Sequence, residues 1–179
     1  MKPLIHQLDK AIMSAVSLLP AGLEMFFVII TTLGSPITTA AIGLGIISLG
    51  HFKQNLRLSF AGFSIWLTLA CDSLLKIIIG RARPATKYAE SMIIQTNSFP
   101  SGHSAGSMVA YGLLAYLAWN LLPRPWNYVV VLILAGLIIL IGISRIYLGA
   151  HFPTDVIAGW VLGAIVLILV ILWILYGKV

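Results

Sequence analysis

Long uncharged apolar runs are the feature that most constrains how this chain can fold. Hydrophobic residues make up 60% of its 179 residues and charged residues only 9%, against about 25% charged residues in ordinary soluble domains. A helix that crosses a bilayer needs about 20 predominantly apolar residues. Several stretches of that kind are present, so we predict an all-α integral membrane protein with a single domain over residues 1–179.

The apolar runs predict six transmembrane helices, with five as the alternative. Four segments are plain, at 58–79, 104–122, 128–143 and 156–176. An earlier stretch is interrupted by Gly-Ser-Pro at 34–36. As one helix, residues 25–50 would be about 39 Å long, more than the roughly 30 Å of the hydrocarbon core. We therefore prefer two shorter helices, 19–33 and 37–50; a single helix there would reduce the count to five.

The chain is basic, with 11 Lys and Arg against 5 Asp and Glu and a net charge of +6. This balance suits the lipid bilayer and a phosphorylated membrane lipid as partners, but not nucleic acid, because little soluble basic surface remains. Residues 1–17 mix charged and apolar side chains at helical spacing, which predicts a short amphipathic interfacial helix, with a frayed tail as the alternative. Cys71 is the only cysteine and lies in an apolar run, so we expect it to pack.

Three short polar clusters interrupt the apolar sequence. They are Lys76 with Arg83-Pro84, then Pro100-Ser101-Gly102-His103, then Ser144-Arg145 with His151 and Asp155. Ionisable groups are costly inside a membrane and therefore indicate function by default. The first and third clusters follow helices that run in the same direction, so we expect all three on one side of the membrane. The loop 85–99, which precedes the second cluster, is typical of a lid or binding segment.

In the third cluster, His151 and Asp155 are four residues apart, and Pro153 suits the first turn of a helix. One helical turn brings both side chains to the same face. A carboxylate there can accept a hydrogen bond from one imidazole nitrogen and leave the other free as a nucleophile. Taken alone, the pair would favour the alternative, an Asp that caps the helix beside a solvated His.

The second cluster places Ser101 at an N-cap position, with Gly102 allowing close backbone approach. Free N–H groups at a helix start form an anion site. His103 lies in that first turn and could act as a general acid toward a leaving oxygen. The alternative is an interfacial histidine without a catalytic role.

Positive charge comes from Lys76, Arg83 and Arg145, which suit the oxygens of a phosphate group. The alternative is that they anchor helices at lipid headgroups, the role we assign to Arg81 and Lys87. Lys76 could also pair with Asp72, one turn earlier. No set of carboxylates converges as a divalent metal requires, so we predict neither a metal nor another cofactor. Together the clusters form a phosphoryl-transfer site.

The motifs Lys76-x6-Arg83-Pro84, Pro100-Ser101-Gly102-His103 and Ser144-Arg145-x5-His151-x3-Asp155 resemble the three signatures of the type 2 phosphatidic acid phosphatase superfamily. The resemblance implies a six-helix membrane lipid phosphatase with a phosphohistidine intermediate. It implies that His151 is the nucleophile, supported by Asp155, with His103 as the proton donor. The phosphate-binding residues would be Lys76, Arg83, Ser101, Gly102 and Arg145.

Within that family the short chain is similar to bacterial phosphatases of phosphatidylglycerophosphate and undecaprenyl diphosphate. We therefore expect a metal-independent phosphatase of a lipid phosphate monoester or diphosphate, phosphatidic acid included. The alternatives are a lipid-phosphate binder or transporter and a phosphotransferase that uses the same pocket.

Loop charges predict the orientation. With six helices, the cations opposite the clusters are Lys2, Lys10, Lys53, Arg57, Arg124 and Lys178, against five on the cluster side. The positive-inside rule then predicts a multi-pass protein of the plasma (inner) membrane whose site faces the extracytoplasmic side.

Overall fold

The computed structural model describes residues 2–92 and 96–176, and every regular element within them is helical. The α-helices in chain order are α1 (Lys2–Val16), α2 (Glu24–Leu33), α3 (Pro36–Phe52), α4 (Leu56–Ile79), α5 (Lys87–Ser91), α6 (Gly102–Leu121), α7 (Trp126–Tyr147) and α8 (Pro153–Tyr176), with a short 3-10 turn at Ala21–Leu23. The predicted all-α fold is confirmed. The loop 85–99 contains the short helix α5, and its residues 93–95 lie outside the described residues.

The predicted count of six transmembrane helices is not reproduced. Four segments of the described chain are long and apolar enough to cross a membrane, namely Ala21–Phe52, α4, α7 and α8. The first includes both helices that we had separated, because Ser35 and Pro36 start α3 directly after α2 ends. With ten residues, α2 rises only about 15 Å, half the hydrocarbon core, and cannot cross alone. Together α2 and α3 count as one candidate span of 32 residues.

Helix α6 lies at the centre of the bundle and packs against α3, α4, α7 and α8. Its Ala105 and Val109 are fully buried. Gly159 and Gly163 of α8 permit close approach, since a Cβ atom added to them would lie 2.5 Å from the Ser101 carbonyl oxygen and 2.6 Å from that of Ala105. With 20 residues, α6 is about 30 Å long, about the thickness of the hydrocarbon core.

The amphipathic helix α1 lies at the same end of the bundle as the three polar clusters. Its Asp9 side chain contacts Arg81 and Thr154. Its Ile5 and Leu8 are 42% and 50% exposed, as suits a helix in the membrane interface. The predicted placement of the N-terminus opposite the clusters was therefore wrong, because Asp9 of α1 contacts residues at the cluster end.

Apolar side chains dominate the outer surface of the long helices; Leu132 and Ile133, for example, are largely exposed. Such a surface is stable in lipid rather than in water. Several aromatic residues lie at the end opposite the clusters, where Trp119 and Tyr128 have ring centroids 5.1 Å apart. The cation Lys178, which we assigned to that end, falls outside the described residues.

This topology predicts that residues 10 and 87 share one side of the membrane and residue 53 lies on the other. In a Cys71→Ser background, Lys10→Cys and Lys87→Cys should react with a membrane-impermeant thiol reagent from the same side. Lys53→Cys should react only from the opposite side. Labelling of positions 10 and 87 from opposite sides would contradict five crossings.

Candidate active site

Four helix ends meet at one end of the bundle and bring the three clusters together. Helix α4 ends near Lys76, α6 begins just before His103, α7 ends beyond Arg145 and α8 begins just before Asp155. The end of α4 is set by Gly80, whose φ of 63° is left-handed and therefore favours glycine. Because each cluster lies at a helix terminus, the polar groups meet at the edge of the apolar bundle.

A cavity of about 430 Å³ lies among these helix ends. Its lining includes the three predicted cations and both imidazoles, from Lys76, Arg83, Arg145, His103 and His151, together with Gly102. A second cavity of about 640 Å³ shares Lys76 and Arg83 with the first. The site is therefore a positively charged chamber next to a wider space.

His151 is buried, and its Nε2 atom lies 3.1 Å from Nη1 of Arg83. Arginine can only donate, so Nε2 acts as the acceptor and the imidazole proton resides on Nδ1. Burial lowers the pKa of His151 to about 4, because desolvation and the nearby Arg145 and Arg83 oppose the imidazolium more than the nearby Asp155 carboxylate favours it. The side chain is therefore neutral near pH 7, with its lone pair facing the cavity.

Asp155 supports His151 less directly than we predicted. The distance from Nδ1 of His151 to Oδ2 of Asp155 is 3.6 Å, longer than a hydrogen bond. The hydroxyl of Ser98 reaches both groups: it donates to Oδ2 of Asp155 and lies 3.5 Å from Nδ1 of His151. Oδ2 also accepts the backbone N–H of Phe152 at 2.9 Å, just ahead of α8. Asp155 therefore acts both as a support for His151 and as a helix cap.

Arg83 is held by the loop that precedes α6. Its Nε and Nη2 donate to the carbonyl and hydroxyl oxygens of Thr96 at 2.8 and 2.9 Å, and Nη1 donates to the carbonyl of Ala150 at 2.8 Å. These contacts fix the guanidinium beside His151, where it can neutralise an anion next to the imidazole.

Arg145 is 1% exposed, an unusual degree of burial for a cation. Its Nη1 donates to the Thr31 hydroxyl of α2 at 2.6 Å. Its Nε has no hydrogen-bond partner among the described residues. Leaving a charged donor unpaired costs free energy, and a phosphate oxygen in the cavity would supply the missing acceptor.

Lys76 pairs with Asp72, as we considered. Its Nζ lies 2.9 and 2.8 Å from the two carboxylate oxygens and also donates to the carbonyl of Pro100. A Cβ atom added to Gly102 would lie 2.6 Å from Oδ2 of Asp72. Gly102 is therefore required for the close approach of the start of α6 to this ion pair, and it also lines the cavity.

In the second cluster, Ser101 caps a helix and His103 lines the cavity. Ser101 is the N-cap of α6, and its hydroxyl oxygen accepts the Ser104 N–H at 3.4 Å. It lies behind the cavity rather than on the lining that includes Gly102 and His103. The His103 imidazole makes no hydrogen bond within the described part of the chain, so it is available to a bound group.

Sequence reasoning missed four polar residues that support this site. Arg81, which we assigned to headgroup anchoring, instead donates to Asp155 Oδ1 at 2.6 Å, so that assignment was wrong. Ser98, Thr31 and Asp9 supply the other contacts. They lie outside the three motifs, and Asp9 and Thr31 come from helices distant in sequence. Only the burial of Asp9 within an otherwise exposed helix distinguishes it, and burial is a property of the folded chain.

Residues 57–178 match the family model described as the PAP2 superfamily. The fold and the site define a multi-pass membrane protein with a positively charged chamber at one end. The chain belongs to the PAP2 superfamily, as the three motifs indicated.

Curated relatives include phosphatidylglycerophosphatase B of Bacillus subtilis, which is 38% identical over 64% of this chain and 58% of that protein. Undecaprenyl-diphosphatase of Sulfolobus acidocaldarius is 29% identical over 63% of this chain and 53% of its own length. The chain therefore spans little more than half the length of these relatives. The crystal structure of a transmembrane PAP2-type phosphatidylglycerolphosphate phosphatase from Bacillus subtilis has a TM-score of 0.80, with 29% identity, 97% of this chain covered and 88% of that one.

The environment of His151 predicts an unusually acidic titration. A histidine whose pKa is lowered on folding binds protons more weakly than in the unfolded chain, so stability is lost as pH falls from about 6.5 toward 4. In ¹⁵N-histidine NMR spectra, assigned with His151→Gln, the His151 ring should stay neutral until near pH 4. A midpoint at or above 6.5 would contradict the buried environment.

Proposed function

We propose that this protein is a lipid phosphatase that acts through a phosphohistidine intermediate. One observation carries the proposal: three cations and two imidazoles line a single cavity at the end of a membrane bundle. A phosphate group carries negative charge on three oxygens and needs positive charge from several directions in the transition state. Lys76, Arg83 and Arg145 are placed to provide it.

The first step is attack by His151 on phosphorus. In the free protein, Nη1 of Arg83 contacts Nε2 of His151. When the substrate binds, Nη1 donates to a phosphate oxygen instead, and the lone pair of Nε2 becomes free to attack. A bond forms between Nε2 and phosphorus as the bond from phosphorus to the lipid oxygen breaks, and His103 protonates that oxygen. The Nδ1 proton stays in contact with Ser98 and Asp155, which stabilise the positive imidazole that forms.

The second step returns the enzyme to its starting state. His103, now neutral, takes a proton from a water molecule as the water oxygen attacks phosphorus. The nitrogen–phosphorus bond breaks, inorganic phosphate leaves, and Nε2 of His151 regains its lone pair. The adjoining cavity of about 640 Å³ offers a route for water and phosphate, which favours hydrolysis over transfer to another alcohol.

A groove on the lipid-facing side could bind the acyl or prenyl tail of the substrate. The groove has a volume of about 610 Å³, lies between α3 and α4 and is lined by apolar residues such as Ala40, Leu44 and Leu69. It shares Pro36 and Ser73 with the phosphate cavity. A lipid could keep its tail in this groove while its headgroup enters the site. Phosphatidylglycerophosphate and undecaprenyl diphosphate, which the names of the relatives specify, are the leading candidates, with phosphatidic acid third.

The location of the site favours an enzyme over a transporter. Transporter sites lie near the middle of the bilayer on broken helices. Here the charged residues lie where four helices end at one side of the bundle. A lipid-phosphate binder would need the cations but not the paired imidazoles.

Purified protein should release phosphate from these lipids and become labelled by a ³²P-phosphoryl group in a rapid acid-free quench. His151→Ala should abolish both release and labelling, because it removes the attacking nitrogen. His103→Ala should lower turnover by about 10²- to 10⁴-fold, the usual contribution of a general acid, while retaining lipid binding. Activity should persist in excess EDTA, since the cations supply the charge. Full turnover by His151→Ala, or activity lost to EDTA and restored by Mg²⁺, would refute this mechanism.

We also propose that the site faces the extracytoplasmic side of the plasma membrane. Three described cations lie at the opposite end, Lys53, Arg57 and Arg124. Lys178 comes after α8 in the sequence. At the site end, Lys76, Arg81, Arg83 and Arg145 are bonded within the site, which leaves Lys2, Lys10 and Lys87. The positive-inside rule then favours a cytoplasmic opposite end.

This orientation predicts that an impermeant thiol reagent labels Lys87→Cys on intact cells, or on spheroplasts where an outer membrane is present. Arg124→Cys, in the same Cys71→Ser background, should react only after the membrane is broken. The reverse pattern would place the site in the cytoplasm without affecting the proposed chemistry.

A further inference from the structure

Asp9 is fully buried although it lies on the exposed helix α1. Its neighbours Leu8 and Lys10 are exposed. A buried carboxylate is costly unless charge and hydrogen bonds compensate it. The residue also precedes the region 57–178 that matches the family model. Its burial therefore needs a local explanation.

The Asp9 carboxylate makes three hydrogen bonds to groups beside the site. Oδ1 accepts the backbone N–H of Thr154 at 3.0 Å, and Oδ2 accepts the Thr154 hydroxyl at 2.8 Å and Nη2 of Arg81 at 2.7 Å. Thr154 is the second residue of α8, where backbone N–H groups have no partner within the helix. Asp9 therefore caps α8 from a distant part of the chain, and its charge favours the positive end of that helix.

Arg81 connects this carboxylate to the catalytic one. Its Nη2 donates to Asp9 while its Nη1 donates to Oδ1 of Asp155 at 2.6 Å and to the Thr154 hydroxyl at 2.8 Å. Its guanidinium also lies over the Phe152 ring, 4.3 Å from the centroid. Because the guanidinium is planar and rigid, the position of Asp9 sets the direction from which Arg81 meets Asp155.

We propose that Asp9 is a positioning residue for the proposed hydrolysis. It holds Arg81 and the first turn of α8 so that Asp155 and Ser98 keep His151 oriented toward the phosphate. The inference rests on the proposed function, because it assigns Asp9 to the orientation of the nucleophile. Without Asp9, the Thr154 N–H loses its acceptor and Arg81 is left with Asp155 as its single carboxylate. The amphipathic helix α1 is then part of the active site rather than only a membrane anchor.

The test measures phosphate release by the purified full-length protein in mixed micelles of phosphatidylglycerophosphate. Asp9→Ala should lower kcat by about tenfold to a hundredfold, the range for outer partners of catalytic groups, with KM unchanged, since Asp9 does not line the phosphate cavity. Asp9→Asn has the same shape, retains one acceptor oxygen and lacks the charge, so its kcat should lie between those of Asp9→Ala and the wild type. The exposed neighbours supply matched controls, and Lys10→Ala and Gln7→Ala should retain wild-type kcat.

A double variant separates positioning from general destabilisation. If Asp9 acts through Asp155, then adding Asp9→Asn to Asp155→Asn should cause little further loss, whereas independent effects multiply. The proposal would be overturned if the losses of kcat from Asp9→Asn and Asp155→Asn multiplied in the double variant. It would also be overturned if Asp9→Asn changed only KM or kept the wild-type kcat. Should Asp9→Ala fail to fold, the isosteric Asp9→Asn decides. A wild-type protein inactive on every lipid phosphate would instead refute the proposed function.

Discussion

The buried carboxylate of Asp155 is the group on which the site depends. One of its oxygens accepts a hydrogen bond from the Arg81 guanidinium. The other accepts hydrogen bonds from the Ser98 hydroxyl and the backbone N–H of Phe152. The same side chain therefore starts α8, fixes the turn after α7 and supports His151. In the low dielectric of a protein interior such contacts are strong, and the loss of one partner leaves uncompensated charge. The geometry of His151 is thus coupled to the packing of the helix ends.

Positive charge in the cavity is only partly compensated. Arg145 donates to the neutral hydroxyl of Thr31, and its Nε has no hydrogen-bond partner among the described residues. Lys76 forms an ion pair with a single carboxylate, that of Asp72. Among the described residues that line the cavity, Asp72 is the only acid against three cations. Burying such an excess costs stability, and an anionic ligand would offset that cost. The proposed phosphate ligand would therefore meet a preorganised chamber, whose donors are fixed before the ligand arrives.

Several features of the site could be predicted from the sequence because they depend on local spacing. Ser101 is the N-cap of α6 and Pro153 is the first residue of α8, as expected. The clusters lie together because helix direction alternates across a membrane, so termini at one end converge. The Gly-Ser-Pro break at residues 34–36 separates α2 from α3, as the sequence predicted. The sequence did not show that the two helices together form one candidate span.

The sequence by itself determined that this protein lies in a membrane, that it is helical, and which cations and imidazoles line the cavity. Apolar composition and motif spacing are properties of neighbouring residues, so they can be read without a fold. The tertiary structure alone decided that α2 and α3 belong to one candidate span and at which end of the bundle α1 lies. It also decided the contacts of Arg81 and Ser98 with Asp155 and the contact of Asp9 with Arg81. Those contacts join residues far apart in the chain, and a buried charge accepts whichever partner the packed helices bring within hydrogen-bond distance.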